Sequence, residues 1–242
     1  MPAEPSDDVV LAARELYRFY RAGEEETLAL RGVSLRVRRG ETVAVVGPSG
    51  AGKSTLLACL AGLDEPSGGE VRVAGVRISH RPETERARLR ARHVGVLLQS
   101  RNLPPHLTVR DNIRLAQHAV RGRPTVRAGA LLEQVGLGRR AGALPRQLSG
   151  GELARAGLAV ALANSPAVLL ADEPTGELDG ATEELVLRML RDRAADGCAV
   201  LIVTHSAEAV RGADRVITLD DGRAHEGREG TARTEESSHV LR

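Results

Sequence analysis

Residues 42–61 constrain this chain more tightly than any other segment. Thr42-Val43-Ala44-Val45-Val46 is a short apolar, β-branched run, and Lys53–Ala61 reads as a helix. Between them stands Gly47-Pro48-Ser49-Gly50-Ala51-Gly52-Lys53-Ser54-Thr55, which spells G-x-x-x-x-G-K-[ST]. In a strand–loop–helix context this is a phosphate-binding loop, whose backbone N–H groups cradle the phosphates of a nucleotide. Lys53 is the single lysine among 34 basic residues, and the others are all arginine. A guanidinium is a broad planar fork, whereas an ammonium is a compact charge on a flexible stem that fits within the loop. The chain keeps lysine where that distinction matters, so it is read as binding a nucleoside triphosphate.

The remaining pattern places this unit in a larger α/β layout. Val33–Arg38 alternates as a half-buried strand closed by Arg39-Gly40, and Val71–Ile78 reads as a hairpin turning at Gly75. Arg81–Arg92 is a charged helix whose arginines need no partner to be explained, and Val94–Leu98 is a strand ending at Gln99. The signals then turn helical: Thr108–Val120, Val126–Val135 and Gly151–Ala163. Alternation resumes with strand Ala167–Ala171, helix Thr182–Ala195, and strands Ala199–Thr204 and Arg215–Leu219. Strands alternating with helices imply a parallel sheet covered on both faces, here interrupted by a mostly helical insert. The whole of 1–242 reads as one domain with a lobe: a core of about 9–98 and 166–225, a helical part of about 99–165, and a disordered polar tail at 227–242.

Composition narrows the partners. Net charge is +2, so no nucleic-acid partner is expected. No apolar run approaches the ~18–20 residues that span a bilayer, and Met1–Asp8 is too acidic and polar for a signal peptide. Cys59 and Cys198 read as small buried hydrophobes. The three aromatic residues, Tyr17, Phe19 and Tyr20, stand together. Strand alternation puts Tyr17 and Phe19 on one face, packing an N-terminal strand, and Tyr20 on the other.

Two further segments carry chemistry. Val168–Ala171 is a buried strand running into Asp172-Glu173-Pro174, which places two acids at the carboxyl end where ligands bind in open α/β sheets. Asp172 is placed to hold Mg²⁺ together with Ser54, while Glu173 points elsewhere and can deprotonate the attacking water. Leu148-Ser149-Gly150-Gly151-Glu152 precedes a helix, and free N–H groups with the helix dipole make an anion site there.

Taken together, these segments make the chain resemble the ATP-binding subunit of an ATP-binding-cassette (ABC) transporter over roughly residues 9–225. Leu148, Ser149, Gly150, Gly151 and Glu152 resemble the family signature LSGGQ. The resemblance implies a RecA-like parallel sheet core with an N-terminal antiparallel β subdomain and an inserted helical subdomain. It also implies ATP and Mg²⁺ as cofactors. Gln99 looks like the Q-loop glutamine that senses Mg²⁺ and the γ-phosphate, Asp179 belongs to the D-loop, His205 looks like the switch histidine, and Tyr20 falls where the adenine-stacking tyrosine lies. The catalytic set it implies is Glu173, His205 and Lys53. Two subunits, copies or homologues, would face head to tail and energise a separate integral-membrane permease from the cytoplasmic side of the membrane. The wording of Asp172–Asp179 is similar to that of lipoprotein-releasing, macrolide-exporting and cell-division ATPases.

The chain departs from the family pattern at four positions. Glu152 replaces glutamine, Val160 replaces the arginine of a later A-R-A-L run, and Leu97 and Leu98 replace the usual aromatic residue. The alternatives are a non-transport ABC ATPase acting on nucleic acid or the ribosome, a low-turnover nucleotide-binding regulator, and a small-molecule kinase. The last requires neither the signature nor Glu173.

Overall fold

The computed structural model describes residues 8–22, 25–99, 102–120, 122 and 124–226. The expectation for the tail 227–242 lies outside these residues. Two sheets form. Strands β1 (Val9–Ala22) and β2 (Glu25–Arg38) pair with β4 (Gly68–Val73) and β5 (Val76–Arg77) in an antiparallel sheet of order β2-β1-β4-β5. The second sheet contains β3 (Thr42–Val46), β6 (Val94–Leu97), β7 (Val168–Asp172), β8 (Ala199–Val203), β9 (Arg215–Asp220) and β10 (Arg223–Glu226). Its order is β10-β9-β3-β8-β7-β6, parallel throughout except for the β9–β10 hairpin.

Side-chain alternation divides the core into two layers. Val43, Val45, Leu170, Leu201 and Val203 face α1 (Lys53–Leu60) and the antiparallel sheet. Leu169, Ala171, Val200 and Ile202 face the opposite layer. That layer joins α3 (Val109–His118), α4 (Ala128–Gln134), α5 (Gly150–Ala161) and α6 (Gly180–Ala195). Both faces of the sheet are therefore covered, which is why its strands read as continuous apolar runs. The remaining α-helices are α2 (Glu83–His93), which buries none of its residues, and the one-turn α7 (Ala207–Arg211).

Two local expectations are corrected. Tyr17 packs across Gly32 and Gly68 of the antiparallel sheet as expected, though 37% exposed, whereas Phe19 is 46% exposed and lies outside the core. Register shifts between Ala13 and Phe19 break the simple alternation of β1 on which that expectation rested. The α2 arginines do have partners: Arg86 pairs with Glu65 and Glu83, and Arg90 donates to the Gly62 carbonyl at 2.7 Å. Three of the four substituted family positions are packing positions. Leu97 is buried, Leu98 is half-buried against the first core layer, and Val160 is half-buried against the second. Glu152, the fourth, lies at a helix end.

Candidate active site

The loop Gly47–Thr55 leaves the carboxyl end of β3 and turns directly into α1. Its glycines are required by space as well as by conformation. A Cβ at Gly47 would sit 2.0 Å from the Leu219 carbonyl oxygen, and one at Gly52 2.4 Å from that of Ala29. Both have positive φ, 152° and 98°. The loop is thereby wedged against β9 and β2, with Ala51 accepting from the Gly222 amide at 3.2 Å. Lys53 is 8% exposed, and its ammonium donates to the carbonyls of Gly47 at 2.7 Å and Pro48 at 2.9 Å. The cation thus sits at the mouth of the loop, where the phosphates of a nucleotide would compete for it.

Across from the loop, Ser54 Oγ donates to Asp172 Oδ2 at 3.2 Å, joining the first turn of α1 to the end of β7. Burial pushes the Asp172 carboxyl up, and the charge of Glu173 adds to the rise. The Ser54 hydrogen bond and the charge of Lys53 oppose it without cancelling it. Glu173 has φ 45°, a left-handed conformation that turns its side chain away from Asp172's direction, and its amide donates to Val203 O at 2.9 Å. Glu173 Oε2 accepts from the His205 amide at 3.2 Å, and Oε1 lies 3.6 Å from His205 Nε2. Oε1 is buried with no hydrogen-bond partner among the described residues. A buried, unsatisfied carboxylate oxygen is costly, and here it is poised to accept from a donor entering the cavity.

Tyr20, Ser49, Gly50, Gly52, Lys53, Ser54, Thr55, Gln99, Asp172, Glu173 and His205 all line one cavity of about 660 Å³. The sequence reading named each of these. Gly47 and Pro48 hold the Lys53 ammonium through their carbonyls, and Ala51 lies within the loop.

The other predicted segment stands elsewhere. Ser149 caps α5, its Oγ accepting from the Glu152 amide at 3.2 Å while Glu152 Oε2 accepts from the Ser149 amide at 2.9 Å. Arg140 donates to Glu152 Oε1 at 2.9 Å. The Ser149 amide first and Arg140 second hold the Glu152 carboxyl below its ordinary range. Leu148, Ser149, Gly150, Gly151 and Glu152 do not line the cavity around Lys53. Gly151 packs on Thr182 of α6, and Asp179 caps that helix through the Thr182 amide at 3.0 Å.

Several residues at the site escaped the sequence reading. Glu183 Oε1 accepts from Thr175 Oγ1 at 3.1 Å and from Ser206 Oγ at 2.5 Å, tying the segment after Glu173 to the one after His205. Arg140 carries no local signal, because its partner is twelve residues on. Arg18 and Asp64 surround Tyr20, and only the i, i+2 spacing of Arg18 to Tyr20 on one strand face could have suggested part of this.

The family model described as ABC transporter matches residues 30–176. The chain belongs to the ABC transporter family. It is 42% identical over 224 residues to the lipoprotein-releasing system ATP-binding protein LolD of Pseudomonas syringae pv. tomato, covering 90% of this chain and 98% of that one. It is also 42% identical over 213 residues to the macrolide export ATP-binding/permease protein MacB of Rhodopirellula baltica. That match covers 86% of this chain but spans only 31% of the relative's length. Among solved structures, a dimer of the ATP-binding cassette MJ0796 in a post-hydrolysis state, bound to ADP and Pi, superposes with a TM-score of 0.84. It shares 36% identity and covers 90% of this chain and 98% of that one. The cavity around Lys53 therefore belongs to an ATP-binding-cassette ATPase.

The donor set fits a hard divalent cation. Ser54 and Asp172 offer a hydroxyl and a carboxylate at the cavity, and the Gln99 amide, which carries an oxygen acceptor, also lines it. Among the described residues no group of three or more His, Cys, Asp and Glu could hold a metal alone. Mg²⁺ is commonly held in this way, by one or two protein oxygens with substrate phosphates and water completing the shell.

Proposed function

We propose that ATP bound on Gly47–Thr55 of one copy is covered by Leu148–Glu152 of a second, and that this closure drives an integral-membrane permease. One observation carries the reading. The cavity brings together a phosphate loop, two acids and a histidine, yet the family signature of the same chain lies outside its lining. A second copy, or a homologous ATPase subunit, facing head to tail would supply it. Such an isologous pairing presents the same two surfaces twice and closes on itself. The solved cassette relative described as dimeric supports the reading.

In the chemical step, Glu173 Oε1 takes a proton from water as the water oxygen bonds to the γ-phosphorus. The bond from phosphorus to the β-γ bridging oxygen breaks, leaving ADP and phosphate. Lys53 and the His205 ring stabilise charge on the transferring group, which supplies most of the rate in phosphoryl transfer. Ser54, Asp172 and Gln99 would hold Mg²⁺, which supplies charge neutralisation on the phosphates. Tyr20 stacks on the base. Gln99, two residues past β6, also lines a cavity with Leu153 and Ala154 of α5, and through it closure reaches the permease.

No helix among the described residues is long and apolar enough to cross a membrane. In this reading a permease holds the chain at the cytoplasmic face. The Asp172–Asp179 wording and the two named relatives favour a permease of the lipoprotein-release or macrolide-export class. Replacing Glu173 with Gln tests the step: ATP turnover is expected to fall by about 10²-fold or more while an ATP-bound dimer accumulates. Parent-like hydrolysis would overturn the role of Glu173.

A further inference from the structure

The base subsite in this reading depends on one ring. Among the described residues that line the cavity, Tyr20 is the only tyrosine, phenylalanine or tryptophan; Tyr17 is turned onto Gly32 and Gly68. The structure shows how the ring is held. Tyr20 OH donates to Asp64 Oδ2 at 2.8 Å. Arg18 donates to the same carboxylate through Nε and Nη2, both at 2.8 Å, and its guanidinium carbon lies 4.6 Å from the centre of the Tyr20 ring. Tyr20 lines the cavity and stays 39% exposed while Arg18 does not line it, so the guanidinium packs on the ring without closing it off from the cavity.

We propose that Arg18 and Asp64 are positioning residues that lock Tyr20 as a platform for the nucleobase. The proposal rests on reading the cavity as the ATP site. Asp64 follows the last turn of α1, where the amides of Leu63 and Asp64 both donate to Ala58 O, at 2.9 and 3.1 Å. The Glu65 amide donates to Asp64 Oδ1 at 2.8 Å. The carboxylate is therefore fixed to the far end of the helix whose first turn carries Lys53 and Ser54. Eight helical residues span roughly 12 Å. One rigid element thus sets the distance between the phosphate end of the site and the base end.

The triad is not needed to dock β1. Bonds to the main chain of β1 already do that, with the Ser67 amide donating to Tyr17 O at 2.8 Å and the Ser67 side-chain Oγ accepting from the Phe19 amide at 3.1 Å. What the triad adds is orientation. A bidentate guanidinium–carboxylate pair fixes a plane, the cation over the ring fixes the tilt of the phenol, and the hydroxyl bond fixes its end. A ring held this way loses little further freedom on stacking, so its contribution is to base binding and not to phosphate binding.

Calorimetric titration of the full chain with ADP and with inorganic pyrophosphate separates these contributions without hydrolysis or closure. Y20A should weaken ADP about tenfold and leave pyrophosphate within about twofold, the range of one lost base stack. D64A should weaken ADP about threefold with pyrophosphate unchanged, and D64A/Y20A should be no weaker than Y20A alone. Y20F, which removes only the hydroxyl, should lower the ADP-to-pyrophosphate preference about twofold and keeps the test alive if D64A does not fold. Three results overturn the proposal: D64A or Y20F leaves that preference at its parent value, D64A weakens both ligands alike, or D64A adds its full loss to Y20A. If Y20A itself leaves the preference unchanged, the base-stacking reading of Tyr20 has failed, and the positioning proposal falls with it.

Discussion

The chain carries two loops that lead into helix N-termini, Gly47–Thr55 before α1 and Leu148–Glu152 before α5, and they are finished in different ways. The first has no side-chain cap; its helix begins at a glycine with positive φ, and the nearby polar groups converge on open space. The second is closed on itself by the reciprocal Ser149–Glu152 bonds and charge-balanced by Arg140. A helix start left uncapped beside a cation and two acids is built to take a ligand from solution. A helix start already capped is stable alone and can meet a ligand carried by another surface. The contrast also bears on Glu152. Its charge is held by the cap at Ser149 and by Arg140.

That contrast orders the expected effects. The largest belongs to Glu173→Gln, with steady-state phosphate release down by about 10²-fold or more. Next is Lys53→Ala, which removes a charged donor from the first loop only. ATP affinity measured by titration should fall roughly ten- to a hundredfold, as expected for a charge-assisted bond, while the fold survives. A defect of equal size from Glu152→Gln would erase the distinction between the two loops. That substitution should instead change turnover less than about threefold, because an amide can still cap and the exposed Arg140 pair is worth little.

Much of this was legible in the sequence because the chemistry is local. Thr42–Val46 and Lys53–Ala61 announce strand and helix by composition, and Asp172 ends its strand as expected from the apolar run before it. The residues that were not legible act across distance. Glu183 joins Thr175 and Ser206, Arg140 finds Glu152, and Asp64 finds Tyr20 through a turn of tertiary structure. The register shifts in β1, which expose Tyr17 and Phe19, likewise come from pairing with β2 and β4 and leave no local signature.

The smallest predicted effect concerns pH. Because the folded chain raises the Asp172 carboxyl, chiefly by burial, the fold favours its neutral form. Its stabilising contribution is present below the unfolded value near 3.9 and is lost as pH rises through the raised folded value. Without nucleotide or Mg²⁺, Asp172→Asn should therefore melt higher than the parent at neutral pH, with the gain shrinking on acidification. A lower melting temperature at neutral pH would contradict this account of the carboxylate.

The most direct test of the two-copy site is the mass in solution of the Glu173→Gln chain with ATP and Mg²⁺, with and without Ser149→Phe. The Glu173→Gln chain should run at twice its 25.7 kDa monomer mass. Adding Ser149→Phe should return it to one chain that still binds ATP, because the phosphate loop is untouched. A Glu173→Gln chain that stays monomeric with ATP bound, or a dimer that survives Ser149→Phe, would contradict a site shared between two copies.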